Sequence, residues 1–235
     1  MAKRLRTLGI VMIVFGVVFA GAGIFAYTQV QAGADSLQAF SEAQNVTLSY
    51  NEDGQLIDRG TPETAQEILT LLEDEWGYPV KMSELDSNDP LVNTGTEYMF
   101  QMATIGYHIL HGEQNVTLTE DVVYNDETFA AGDYSLLVRT VGDRGELGGY
   151  WTDFDRMHPI EGPARSQAWS GTAHGLFGEL GVGAVTANML TLSLGIAGLL
   201  LGLAAGFILL GGGMIWIATS KDETISTDEK AAVSV

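Results

Sequence analysis

Two histidines that lie three residues apart, His108 and His111, are the first candidates for chemistry. Residues at this spacing share nearly one face of a helix, so both imidazoles can point to one ligand. Two such histidines with a carboxylate can hold zinc or a redox metal. The candidate metal ligands are therefore His108, His111 and His158, with Glu97, Asp153 or Asp155.

The alternative is a structural role for the histidines, in capping and packing. The usual metallohydrolase motif places two histidines four residues apart with a glutamate between them, and that motif is missing here. His111 also falls at the end of a predicted helix, where the dipole favours a cation. The chain has no cysteine, which excludes thiol catalysis and cysteine-based metal sites. The sequence predicts no cofactor.

Aromatic and charged residues are concentrated in residues 150–156. Aromatic side chains supply contact area, an arginine supplies a bidentate donor, and two aspartates can bind calcium. Alternatively, the aromatic residues anchor a strand to the core while the charges pair at the surface. The candidate ligand or partner patch consists of Tyr150, Trp151, Asp153, Phe154, Asp155 and Arg156.

Charge and hydropathy divide the chain into three parts. Residues 30–183 hold 26 of the 30 acidic residues, and the formal net charge of the chain is -19. This disfavours nucleic-acid binding, which needs clustered cations. The apolar segments 8–26 and 181–220 contain no charged residue and are long enough to cross a bilayer. The alternative for the first segment is a cleavable signal peptide.

Basic residues set the expected orientation. Lys3, Arg4 and Arg6 precede the first apolar segment, and short basic flanks stay in the cytoplasm. The protein is then expected in the plasma membrane, with both of its termini in the cytoplasm. The predicted boundaries are a cytoplasmic N terminus (1–7), a first transmembrane helix (8–29), an acidic extracytoplasmic domain (30–183), a second transmembrane helix with a membrane-proximal extension (184–218) and a cytoplasmic tail (219–235).

Local patterns predict an α+β fold, in which two transmembrane helices flank an exported domain of short antiparallel strands and amphipathic helices. Residues 46–58 read as a hairpin. Thr61-Pro62-Glu63 opens one helix, and Thr94 with Glu97 forms a capping box that opens another. Residues 115–138 predict a meander of three or so strands, with a turn at Gly132-Asp133.

Small residues in the apolar segments predict close helix packing. Gly198, Gly202 and Gly206 recur every four residues in the second segment, and Gly16 with Ala20 offers a similar face in the first. Two Asn-Val-Thr sequons, at Asn45 and Asn115, are possible glycosylation sites in the exported part.

The two-span arrangement, together with the run from Trp151 to Arg165 that leads into a glycine-rich second span, resembles uncharacterised two-span membrane proteins of prokaryotes, actinobacteria among them. The resemblance implies the topology and no chemistry.

Three functions follow from these observations. The first is a non-enzymatic membrane protein whose acidic domain binds a protein partner or scaffolds a complex, with membrane lipids around its helices and self-association through them. The alternatives are a membrane-tethered metal-dependent enzyme that uses His108 and His111, and an extracellular cation sensor.

The concentration of acidic residues in one part of the chain predicts that the protein becomes more stable as salt is added. Like charges repel most in the compact state, and at ~0.1 M salt the screening length is still ~10 Å. The melting temperature of the purified chain in a nonionic detergent should rise between low and molar sodium chloride. A flat or falling trend would show that the carboxylates are paired locally.

Overall fold

The computed structural model of the protein describes residues 2–137 and 154–233. The chain forms two compact units, one of Met1–Gln38 with Asn188–Val235 and the other of Ala39–Ala187. The mixed fold class is confirmed, since helices combine with a few short antiparallel strands and with two long apolar helices.

The long apolar helices are α1 (Ala2–Gln44) and α5 (Gly171–Val233). Both extend beyond the apolar segments. Residues 34–44 continue α1 because they contain neither proline nor glycine and include three alanines and two glutamines. The helix ends at Gln44, and the next residue, Asn45, has a left-handed φ of 51°.

After the last residues of α1, the second unit contains the predicted hairpin, which is confirmed. Strands β1 (Ser49–Tyr50) and β2 (Leu56–Ile57) pair antiparallel. The Asn51 side chain accepts hydrogen bonds from the backbone of Asp53 and Gln55 and so shapes the turn between the strands.

Both predicted helix starts are also confirmed. Helix α2 (Pro62–Thr70) begins at Thr61, whose hydroxyl caps the Thr64 amide, and it continues as a π turn over Leu71–Glu75. A short 3-10 turn at Met82–Glu84 precedes α3 (Gly95–Leu110). The capping box between Thr94 and Glu97 is present at the start of α3.

The predicted meander is wrong in its pairing. Strand β3 (Glu113–Leu118) pairs with β6 (Gly132–Leu137), while β4 (Val122–Tyr124) and β5 (Glu127–Phe129) form a separate hairpin between them. The tight turn lies at Asn125-Asp126, where both residues have positive φ, and Gly132 lies in a strand.

Side-chain burial explains this pairing. The long strands β3 and β6 place Val116 opposite Tyr134, and both residues pack against Ile160 and Ala164. Ala164 belongs to α4 (Glu161–Ala168). The β4–β5 hairpin has only three residues on each strand, and Val123 there is 71% exposed. The six-residue strands therefore pair with each other, because that pairing buries their apolar face.

The buried carboxylate of Glu97 caps the start of α3. It is 2% exposed and accepts hydrogen bonds from the amides of Asn93 and Thr94, at 3.0 and 2.8 Å. Burial raises the pKa of Glu97, and Asp89 adds to the rise, although the hydrogen bonds from Asn93 and Thr94 oppose it. The folded protein therefore retains this proton to a higher pH than the unfolded chain does.

Replacing Glu97 with glutamine should change how stability depends on pH. A raised folded pKa means that the stability contributed by Glu97 falls as pH rises above the ordinary value of 4.5. The melting temperature of Glu97→Gln relative to wild type should therefore increase from pH 4 towards neutral pH. Glu63→Gln, at an exposed position in the first turn of α2, is the control. A difference between Glu97→Gln and wild type that does not vary with pH would contradict the prediction.

Candidate functional site

The contact between α1 and α5 repeats every seven residues. Within the first unit, the buried residues recur at this spacing on both helices, and most of them are glycine or alanine. A seven-residue repeat keeps two helices in contact along a continuous seam. We call this set the small-residue seam; it comprises Gly9, Gly16, Gly23 and Val30 on α1, and Ala197, Ala204, Gly211 and Ala218 on α5.

The helices approach so closely in the seam that side chains are excluded. A Cβ atom at Gly9 would lie 2.6 Å from the backbone oxygen of Gly211. A Cβ atom at Gly211 would lie at the same distance from the backbone oxygen of Gly9. A Cβ at Gly16 would lie 2.6 Å from Cγ1 of Ile208. Glycine is therefore required at these positions for backbone contact. Beside the seam, the rings of Phe19 and Phe207 stack with centroids 5.6 Å apart.

Of the small residues expected to pack the two long helices together, only some lie at the contact between α1 and α5. Gly16 contacts α5, but a Cβ at Gly198, Gly202 or Gly206 would meet nothing within 4 Å among the described residues. Ala20 is half-buried. The four-residue repeat of α5 thus faces away from α1, because the antiparallel pair follows the seven-residue repeat instead.

In the second unit, Tyr98 lies between residues of both long helices. It is 1% exposed, and its hydroxyl hydrogen-bonds to Oγ of Ser41 at 2.8 Å. A Cβ at Gly183 would lie 2.5 Å from Cε1 of the same ring. Gln44 also donates a hydrogen bond to Glu179. Tyr98 of α3 is therefore held by α1 on one side and by α5 on the other.

The three candidate metal-ligand histidines have three different environments. His108 Nε2 lies 2.7 Å from Oδ2 of Asp58. The His111 ring stacks on Tyr107 with centroids 4.1 Å apart. His158 Nδ1 accepts hydrogen bonds from two amides at the start of α4. Among the described residues, no group of three or more His, Asp or Glu side chains converges on a metal position.

Half of the candidate aromatic patch is described. Tyr150, Trp151 and Asp153 lie outside the described residues. Phe154 is buried in a core cluster with Leu110 and Trp169, so it acts as an anchor rather than as a contact surface.

Asp155 has a local structural role. It accepts hydrogen bonds from the Tyr124 hydroxyl and the Met157 amide, and these bonds hold its pKa below the usual range. The backbone oxygen of Arg156 would lie 2.5 Å from a Cβ at Gly162, so the chain turns tightly there. The hydrogen bonds of Asp155 therefore go to Tyr124 and Met157.

Both sequons are at the surface. Asn45 follows the end of α1, and Asn115 lies on β3 opposite Ser135. Each asparagine is exposed, so each is sterically accessible for modification.

No sequence motif indicates the cavity of about 470 Å³ on the second unit. Its lining combines two carboxylates, Glu67 and Glu75, with the stacked rings of Tyr107 and His111. The Tyr107 hydroxyl donates a hydrogen bond to Glu67. These side chains come together because α2, its π turn and α3 pack on one another, a long-range contact that residue spacing does not reveal.

No family model matches the chain, and no curated protein or solved structure matches it either.

The seam predicts which glycine is essential for the helix pair. Gly16→Leu should lower the melting temperature in mild detergent, because overpacking a close contact costs roughly 1 to 3 kcal/mol. Gly202→Leu, the same change at a position with open space, should leave it nearly unchanged. Equal effects of the two substitutions would contradict the observed register.

Proposed function

We propose that the protein is a non-enzymatic two-span membrane protein whose acidic domain, residues 39–187, binds a protein partner on the extracytoplasmic side. The observation that carries this proposal is the outward-facing apolar surface of α1 and α5. Their most apolar windows have mean hydropathies of 2.6 and 2.3, and only 17% of each window is buried.

Soluble proteins rarely leave such a surface in contact with water. Val18, Phe25 and Leu209 are 62%, 65% and 75% exposed on the two helices. Large contiguous apolar patches on soluble proteins are rare and are normally covered by a partner or a membrane. A bilayer covers this surface completely, and helices satisfy the backbone hydrogen bonds that lipid leaves unmet.

Charge supports the orientation. Lys3, Arg4 and Arg6 lie at the start of α1, and Lys221 follows the apolar part of α5. These positions meet at the same end of the antiparallel pair, since Gly9 contacts Gly211. An excess of basic residues at one end favours placing that end in the cytoplasm.

The acidic domain favours a basic partner. The cavity formed by Glu67, Glu75, Tyr107 and His111 combines negative charge with aromatic faces, which together suit an ammonium or guanidinium group. A metal-dependent enzyme is the weaker proposal, because His108, His111 and His158 have separate partners. Self-association through the open face of Gly198, Gly202 and Gly206 stays a prediction, as do the resemblance to the prokaryotic two-span family and the cation sensor.

Cysteine accessibility tests the topology on a chain that has no native cysteine. Ser36→Cys should react with a membrane-impermeant maleimide on intact cells. Ser226→Cys should react only after the membrane is opened. Labelling of position 226 from outside intact cells would contradict the orientation, and release of the protein by alkaline carbonate would contradict membrane insertion.

Charge removal in the cavity tests partner binding. Glu67→Gln with Glu75→Gln should reduce recovery of a crosslinked partner from cells about tenfold, the loss expected when ~1.4 kcal/mol of binding is removed. The matched control is Glu120→Gln with Glu127→Gln, two exposed carboxylates outside this cavity. Equal recovery from both double variants would contradict a role for the cavity.

A further inference from the structure

A groove of about 320 Å³ runs along one side of the helix pair in the first unit. Its inner part is lined by Phe25 of α1 and Ile196 of α5. About one helical turn further towards the Asp35 end of α1 lie Gln29 and Ser193, followed by Leu190. The groove is thus apolar along most of its length and has two neutral polar groups at one level.

Those polar groups have no hydrogen-bond partner in the part of the chain that the structure describes. Neither Gln29 nor Ser193 has a side-chain hydrogen bond to any residue that the structure describes. Gln29 is exposed and Ser193 is half-buried, so both side chains can donate hydrogen bonds to a group from outside the protein.

Two aromatic residues give the depth of the groove. A Cβ at Gly23 would touch Leu201 and one at Gly33 would touch Leu190, so Tyr27 lies roughly level with Ile196. From that level to the exposed Trp216 is about 20 residues of helix, or ~30 Å, the thickness of the hydrocarbon core. Tyrosine and tryptophan are enriched at the two edges of that core. Phe25 and Ile196 therefore lie at its rim, and Gln29 and Ser193 lie at the level of lipid headgroups.

We infer that this groove is a binding site for one glycerolipid of the leaflet on the Asp35 side. One acyl chain lies against Phe25 and Ile196. The oxygens that join the chains to glycerol accept hydrogen bonds from the Gln29 amide and the Ser193 hydroxyl. The inference rests on the proposed membrane insertion, since the depth assignment requires it.

The chemistry favours a lipid that is recognised through its glycerol region rather than through its headgroup. Both polar groups of the groove are neutral, and no charged side chain is among its described lining residues. The volume is at the lower end of the range of ~300 to 1,000 Å³ for small-molecule pockets, which suits part of a single chain.

Photolabelling tests the site in the full chain reconstituted in lipid nanodiscs. The probe is a phosphatidylcholine with a diazirine near the glycerol end of one acyl chain, and labelled residues are mapped by mass spectrometry. Labelling should concentrate at the groove, and Ala26→Leu, which fills it, should reduce that labelling about tenfold. Ala22→Leu, the same change at an exposed position about one turn inward, should not reduce it.

A second variant separates binding from misfolding. Gln29→Leu with Ser193→Ala adds no bulk beside the chain and should reduce groove labelling while the melting temperature is retained. Labelling spread evenly along α1 and α5, or unaffected by both Ala26→Leu and the double variant, would overturn the inference. Failure of the wild-type chain to insert into nanodiscs would instead overturn the proposed function.

Discussion

The first unit depends on one constraint, the backbone contact between α1 and α5 at Gly9 and Gly211. Under the proposed membrane insertion, apolar burial gives the two helices little reason to associate, because lipid tails are as apolar as leucine. Close packing of small residues must then supply the attraction. The seven-residue repeat provides such contacts along the whole pair, and it leaves the large side chains, such as Val18 and Leu209, facing outward.

Tyr98 shows the same principle in the second unit, with a polar addition. Its ring occupies the space left by the missing side chain of Gly183, and its hydroxyl is satisfied by Ser41. A buried hydroxyl without a partner would cost about 1 to 3 kcal/mol, so Ser41 and Tyr98 fix each other's position.

In the second unit, the shifts in pKa depend on burial and on the hydrogen bonds that oppose its effect. Glu84 shows the balance clearly. Burial alone would raise its pKa, but hydrogen bonds from Thr96 and Lys81 hold it below the usual value. Burial has no such compensation at the Tyr50 phenol, whose pKa it raises, together with nearby carboxylates, to about 12. Glu84 is therefore stabilised both by a hydrogen bond from the Thr96 amide at the start of α3 and by an ion pair with Lys81.

The sequence predicts the local features well, because the residues that cause them are adjacent. Thr94 and Glu97 are three residues apart, and Thr61 directly precedes Pro62, so both helix starts can be read from the chain. Strand pairing between β3 and β6 depends instead on burial against Ile160 and Ala164, which lie far along the sequence. The cavity at Glu67 and Tyr107 is equally long-range.

The helix seam shows a different limit on what sequence predicts. α5 has glycines on several faces, so the four-residue repeat at Gly198, Gly202 and Gly206 is as visible as the seven-residue repeat through Ala204 and Gly211. The spacing of the glycines on α1 determines which of the two repeats forms the contact. The glycines of α1 at positions 9, 16 and 23 recur every seven residues, and that period is the one that α5 matches. Comparing the periods of both helices, rather than the small-residue motif of one, therefore identifies the contact. The glycines that α1 does not use leave α5 with a second smooth face, which lies in the apolar part of the helix and is open among the described residues.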